Sequence, residues 1–249
     1  MENISVIIIT GNEERNIVDC LQSVNWADEI IVVDSESTDS TVELSKKFTD
    51  KVFINKWEGF AKQKAYALSL ASNKWVLSLD ADERVSDQLR EEIVNLQPGD
   101  NVGFIIQRRN HFLGKNITTC GWGKDYQLRL FIKSKTKLND RLVHEGFIVD
   151  GKTTRLKGQL IHYTYTSIEN TLTKINHYSS LQAQEYYGKK RTGGIGFILH
   201  PLGAFLRLFI SLKGYKDGIH GMLIAFFNSL TTLQTYLKIW EMHNLKKNR

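Results

Sequence analysis

Three short runs of nearly unbroken apolar, β-branched residues constrain this chain more than any other feature. They are residues 5–10 (SVIIIT), 29–34 (EIIVVD) and 75–79 (WVLSL). A strand with one wet face alternates apolar and polar side chains. A run that is apolar throughout reads instead as a strand covered on both faces, as in a parallel sheet between helices. The segments between the runs have helical spacing. Residues 15–24 place Ile17, Cys20, Leu21 and Val24 on one face. Helices over 41–48, with Ser40 as its cap, and over 60–71 follow, with a short strand over 51–54 between them. Strands alternating with helices predict an α/β sandwich on a mainly parallel sheet.

After residue 80 the pattern changes. Residues 86–96 read as a capped amphipathic helix closed by Pro98-Gly99, and 103–108, 126–132 and 160–165 read as strands separated by glycine-bearing loops. Beyond Ser167 the chain is expected to be helical: one helix to about Lys189, then apolar stretches over 195–212 and 219–240. Each stretch reaches the roughly 20 residues that a bilayer crossing needs. However, the first holds His200, Pro201 and Arg207, and the second holds His220, Asn228, Ser229, three threonines and Gln234. Such polarity is costly in hydrocarbon. The expectation is therefore of helices lying at a membrane interface, with Arg207, Lys213, Lys216 and the basic tail at 246–249 near lipid phosphates. An ordinary helical subdomain is the plain alternative.

Charge is divided unevenly. Residues 1–100 carry 10 Lys and Arg against 19 Asp and Glu, whereas 101–249 carry 23 against 8. An acidic half suits a cation site, and a basic half suits phosphates or an anionic membrane. No recognised nucleic-acid motif accompanies the basic half, so nucleic acid is not expected as a partner. Cys20 and Cys120 lack metal-type spacing, and Cys20 falls on a core-facing helix stripe. A reduced, cytoplasmic compartment is expected, with no secretory signal at the N-terminus.

The chemistry-bearing residues gather after the strands. Residues 75–79 run directly into Asp80-Ala81-Asp82-Glu83, and ligands of open α/β sheets collect at the carboxyl ends of strands. Carboxylates at i and i+2 of an extended segment point the same way, and hard oxygen ligands suit Mg²⁺ or Mn²⁺. The first strand–helix turn, Thr10-Gly11-Asn12-Glu13-Glu14, lacks the glycine fingerprint of dinucleotide sites, and no Walker loop occurs. The second strand ends in Asp34-Ser35-Glu36-Ser37-Thr38-Asp39-Ser40-Thr41, where Asp34 can bond a base or ribose. Asp39 and Ser40 suit either turn-making or ligand contact.

In that order and spacing, residues 4–84 resemble the family 2 glycosyltransferases of GT-A fold. Trp57-Glu58-Gly59-Phe60-Ala61-Lys62-Gln63-Lys64 and Arg141-Leu142-Val143-His144-Glu145 resemble the lipopolysaccharide-core β-1,4-glucosyltransferase branch. The resemblance implies a GT-A-like α/β fold with a C-terminal helical region. Residues 1–100 would form the donor half, 101–166 the acceptor-side and catalytic-base half, and 167–249 a membrane-associating region. It implies that Thr10, Asn12, Glu13 and Asp34 line a uridine pocket, with Lys64 near the diphosphate. Asp80 would contact the ribose or sugar and Asp82 would bind the metal. Gly11 and Ala65 stand where many relatives carry tyrosine and asparagine.

An inverting transferase needs one general base, because a nucleoside diphosphate leaves as a stabilised anion. Glu145 is the candidate, with His144 orienting it or meeting the acceptor; pairing of Glu145 with Arg141 or Lys152 is the alternative. His162 is a candidate metal or diphosphate ligand, or a structural histidine. Arg129 faces the donor or acceptor phosphate, or is a strand-surface charge. Trp122, between Gly121 and Gly123, stacks on an acceptor sugar or anchors its loop. The expected reaction is metal-dependent transfer of a hexose, glucose from UDP-glucose, to a glycolipid such as lipopolysaccharide core. Polyprenyl phosphate is an alternative acceptor, and a non-catalytic sugar-nucleotide or glycan binder is the alternative from another class. The expected location is the inner face of the cytoplasmic membrane.

Overall fold

All seven residues of strand β1 (Ile4–Thr10) are buried, and its two sets of alternate side chains enter different cores. Ile4, Val6 and Ile8 pack with Ile17, Cys20 and Leu21 of α1 (Ile17–Ser23) and with Leu89 and Ile93 of α4 (Asp87–Val94). Ile7 and Ile9 pack with Ala67 of α3 (Phe60–Leu70). Each fully buried aliphatic side chain contributes about 1.5–3 kcal/mol relative to exposure, so β1 draws its stability from both sides of the sheet. This two-sided burial is why the run is apolar throughout.

In the computed structural model, the described residues are 3–138, 146–189 and 193–247. They form two compact units, Met1–Arg109 with Asp125–His162 and Asn110–Lys124 with Tyr163–Arg249. In the first unit, β1 lies between β2 (Glu29–Asp34) and β4 (Trp75–Asp80), and β3 (Val52–Ile54) lies beyond β2. These four strands are parallel. The sheet continues through β8 (Tyr126–Ile132), β6 (Asn101–Phe112), β11 (Lys152–Tyr165) and β5 (Glu83–Val85). Here the pairings β4–β8, β8–β6 and β11–β5 are antiparallel. β9 (Thr136–Leu138) and β10 (Phe147–Val149) form a separate antiparallel pair.

The predicted strands over 29–34 and 126–132 match β2 and β8, and the helix over 86–96 is α4 with a shorter span. Ser86 caps α4, its hydroxyl accepting from Leu89 N at 3.3 Å. The strands expected over 103–108 and 160–165 are only parts of the longer β6 and β11. Ser40 occupies the N-cap position of α2 (Thr41–Ser45) but its side chain makes no cap bond. Asp39 does that work, with Oδ1 accepting from Thr41 N at 3.0 Å and Thr41 Oγ1 at 2.5 Å. At Gly158 of β11 an added Cβ would lie 2.3 Å from Leu89 Cα, so only glycine lets the strand backbone approach α4.

The second unit contains β7 (Lys115–Asn116) and the helices α5 (Ile168–Tyr186), α6 (Gly196–Leu206) and α7 (Ile219–Lys247). Its core combines aliphatic side chains such as Ile175 and Ile224 with aromatic ones, and Phe112 lies 5.9 Å from Tyr165 and 6.3 Å from Phe227, ring centre to ring centre. The polarity that argued against a crossing segment has a structural use. Thr231, Thr232 and Thr235 donate to carbonyls one turn back, and Gln234 accepts from Ser179 of α5 at 3.0 Å. Lys238 donates to Asn176, Ser179 and Ser180 on the same helix. Among the described residues, no helix is long and apolar enough to cross a membrane.

Candidate active site

Strand register brings the donor-site candidates to one edge. Thr10 pairs with Asp34 across β1–β2 and Ile9 pairs with Asp80 across β1–β4, so three neighbouring parallel strands end together. Thr10 Oγ1 is buried without a hydrogen-bond partner. An unsatisfied buried hydroxyl costs about 1–3 kcal/mol, which a ligand's polar atom can recover. Asp34 is fully buried, and its carboxylate accepts from Ser37 N at 2.7 Å and Ser37 Oγ at 2.5 Å. Asn12, in left-handed backbone conformation at φ 55°, donates its N–H to Ser37 Oγ and accepts at Oδ1 from Thr38 N. Glu13 donates its N–H to Thr41 Oγ1 and accepts from Asn16 Nδ2 at 2.6 Å. Asn12, Glu13 and Asp34 thus stitch together the turns that follow β1 and β2.

Asp80 sits among cations. Its Oδ1 is 3.3 Å from Lys64 Nζ, and its Oδ2 accepts from Arg129 Nη2 at 2.9 Å. Lys64 comes from α3, Arg129 from β8, and both are buried. Burial alone would raise the Asp80 carboxyl, but the charges of Lys64 and Arg129 win and hold it well below the usual carboxylate range. Arg129 is therefore no strand-surface charge. Burial would lower its pKa, yet Glu83 and Asp80 raise it above the ordinary arginine value.

Glu83 completes the cluster. It is fully buried and accepts from Arg129 Nη2 at 2.6 Å and from Asp80 N at 3.0 Å, with Arg108 Nη1 at 3.5 Å. Arg108 in turn donates from Nε to Asp125 at 2.8 Å. Glu83, Arg108 and Asp125 were not singled out from sequence. The one local signal was Arg108 at the end of the strand expected over 103–108, since a charge carried on a buried strand needs a paired side chain.

The expectation that Asp80 and Asp82 share an extended segment does not hold. Residues 81 and 82 form a turn between β4 and β5, and the two carboxylates have different partners. Asp82 Oδ1 lies 3.4 Å from His162 Nε2, brought there because His162 of β11 is in register with Glu83 of β5. A carboxylate oxygen and an imidazole nitrogen so close can bind one divalent cation, leaving its other positions for water and phosphate oxygens. Among the described residues no group of three or more His, Cys, Asp or Glu could hold a metal, so what these residues offer is the Asp82–His162 pair. A carboxylate and an imidazole are donors that suit Mg²⁺ or Mn²⁺.

Trp122 lies in the second unit, with its ring 6.2 Å from Tyr165 in a stacked arrangement and 6.3 Å from Phe112. This is the loop-anchoring arrangement. His144 and Glu145 lie outside the described residues. Gln63 is a further buried residue not anticipated: it donates to Ser35 Oγ at 3.1 Å and accepts from Asn55 Nδ2 at 2.8 Å, tying α3 to the turn after β2.

The profile described as Glycosyl transferase family 2 matches residues 5–156. The chain is 31% identical over 253 residues to the lipopolysaccharide core biosynthesis glycosyltransferase LpsC of Rhizobium meliloti (strain 1021), covering 98% of this chain and 94% of that protein. It is 36% identical over 245 residues to a glycosyltransferase of Rickettsia felis, covering 91% and 87% of the two chains. Among solved structures, S. aureus TarS 1-349 in complex with UDP-GlcNAc aligns over 98% of this chain and 92% of its own, at a TM-score of 0.48 and 15% identity. The profile spans more than half of the chain and LpsC nearly all of it: this protein belongs to glycosyl transferase family 2 and is a glycosyltransferase of the GT-A fold.

Proposed function

We propose that the enzyme transfers a hexose, glucose from UDP-glucose, with inversion at the anomeric carbon, to a hydroxyl of a glycolipid acceptor such as lipopolysaccharide core. The observation that carries this reading is the grouping of Asp80 with Lys64 and Arg129, two residues from the Asp82–His162 pair, where the parallel strands end. The name of LpsC, a lipopolysaccharide core biosynthesis glycosyltransferase, supports the choice of acceptor. The reading includes work at the inner face of the cytoplasmic membrane, on an anionic lipid surface.

In this mechanism Thr10 Oγ1 gains its missing partner from the uridine, and Asn12, Glu13 and Asp34 hold the turns that shape the pocket. Lys64 turns its ammonium from Asp80 toward the diphosphate. Asp80, fixed by Arg129, accepts from a hydroxyl of the ribose or sugar. Asp82 and His162 would hold Mg²⁺ or Mn²⁺, which when bound neutralises charge developing on the departing diphosphate. Glu145 removes the proton of the acceptor hydroxyl, and no acid is needed for so good a leaving group. His144 is assigned to the acceptor saccharide.

The test is a panel of nucleotide sugars screened by thermal shift with Mn²⁺, followed by turnover assays of the wild type and Glu145→Gln. Selective stabilisation by UDP-glucose is expected, with turnover falling about 10²-fold or more in the variant at unchanged donor binding. Selection of another nucleotide would replace the donor assignment, and undiminished turnover in the variant would remove Glu145 as the base.

A further inference from the structure

The helix α6 is amphipathic in the wrong sense for water. Its covered side includes Phe197, Pro201, Phe205 and the following Leu208, with the Pro201 carbonyl accepting from Ser229 of α7 at 2.9 Å. Its uncovered side, from Ile195 to Ile210, carries Ile195, Ile198, Leu199, Leu202, Leu206 and Ile210, which keep 42–70% of their surface exposed. Their spacing of three and four residues makes one continuous stripe. Single exposed aliphatics are common, but a contiguous stripe marks a surface meant to be covered.

Charge identifies the cover. Arg207, one turn from Ile210, and Lys213 and Lys216 just beyond it are all exposed. Tyr215 between them and Ile219 at the start of α7 are half exposed or more. A row of aliphatics bordered by basic residues and a tyrosine matches the layering of a bilayer surface, with acyl chains below, headgroups at the level of the ring, and phosphates beside the cations. The 11 residues of α6 and the 5 of the π-helical turn that continues it, Arg207–Ser211, reach roughly 24 Å at most at 1.5 Å each, short of the ~30 Å of a hydrocarbon core, so the segment can lie in a membrane but not cross it. We propose that this face of α6 seats in the surface of an anionic phospholipid bilayer, with Arg207, Lys213 and Lys216 on the phosphates.

The proposal deepens the membrane-surface part of the proposed function and names the segment that carries it, so its test is kept separate from catalysis. The full chain is co-sedimented with vesicles of phosphatidylcholine alone or mixed with phosphatidylglycerol, without donor or acceptor. Binding to the mixed vesicles is expected, weakened about tenfold for each change in Leu202→Ser/Leu206→Ser. Lys213→Gln/Lys216→Gln should cost about fivefold for each lysine, and added salt should reproduce that loss. Thermal melts matching the wild type would show that these exposed substitutions leave the fold intact. Vesicle binding indifferent to both variants would overturn the proposal. So would a dimer in sedimentation equilibrium that the serine variant dissociates, since a second copy would then be the cover. If no nucleotide sugar turns over but vesicle binding behaves as expected, the catalytic reading fails and the docking surface stands.

Discussion

Replacing Glu83 with glutamine tests whether the cluster around Asp80 is a set of mutually dependent charges. The wild-type carboxylate is fully buried and accepts from Arg129 Nη2 at 2.6 Å and from Asp80 N at 3.0 Å, with Arg108 Nη1 at 3.5 Å. Glutamine keeps the shape, but one of its two terminal atoms becomes a donor facing donors. It also leaves buried Arg129 with Asp80 as its remaining carboxylate, at 2.9 Å. Removing one partner of a buried ion pair costs about 3–5 kcal/mol. For a chain of this size about 2–4 °C is lost per kcal/mol, so Glu83→Gln should melt roughly 6–20 °C lower by differential scanning fluorimetry. Urea unfolding followed by circular dichroism should show a matching loss. Arg129→Met with Glu83→Gln should be less destabilising than the sum of the single changes, because the second removes the charge that the first strands. A fall of less than about 2 °C, or strict additivity, would refute the coupling.

Three further outcomes follow from Glu29, from a pair of glycines and from Cys20. Glu29 is bonded by Ser5, Ser72 and Lys51; burial would raise its carboxyl, but those bonds lower it from 4.5 to about 2. Its folded pKa lies below its unfolded value, so its stabilising effect, about 3 kcal/mol, is present above pH 4.5 and lost as pH falls toward 2. The stability gap between wild type and Glu29→Gln should narrow over that window in urea titrations. Gly158→Ala would push a methyl to 2.3 Å from Leu89 Cα and should cost about 1–3 kcal/mol or more. Gly203→Ala on α6 meets nothing within 4 Å and should instead stabilise by about 0.5–1 kcal/mol; calorimetry of the pair checks the contrast. Burial pushes the Cys20 thiol far up, so a disulfide reagent should label it only on unfolding.

Much of residues 1–100 was legible because local pattern and tertiary environment agree there. The runs containing Val6, Val32 and Leu77 are apolar on both faces because both faces are covered, and that signal needs no knowledge of partners. Ser86 before an amphipathic helix and Asp80 after a buried strand are likewise local signals. The pairings of charged residues were not legible. Arg129 meets Asp80 and Glu83 across nearly fifty residues, and nothing near any of the three announces the others. β5 went unnoticed because its Glu83-Arg84-Val85 looks like a surface turn, yet all three residues are buried. β6 and β11 exceeded their apolar centres because pairing with neighbouring strands extends polar sequence that would not form a strand alone. Trp122 between two glycines suggested either a sugar platform or a loop anchor, and its stacking on Tyr165 depends on a residue more than forty positions away.

The most direct test is calorimetric titration of UDP into wild type and Asp82→Ala, each with Mn²⁺ and with chelator. Wild type should bind UDP more tightly with the ion, and Asp82→Ala should bind equally weakly in both conditions while melting as a folded protein. Undiminished ion dependence in Asp82→Ala, or wild-type binding indifferent to the ion, would contradict a cation held by Asp82 and His162 beside the departing nucleotide.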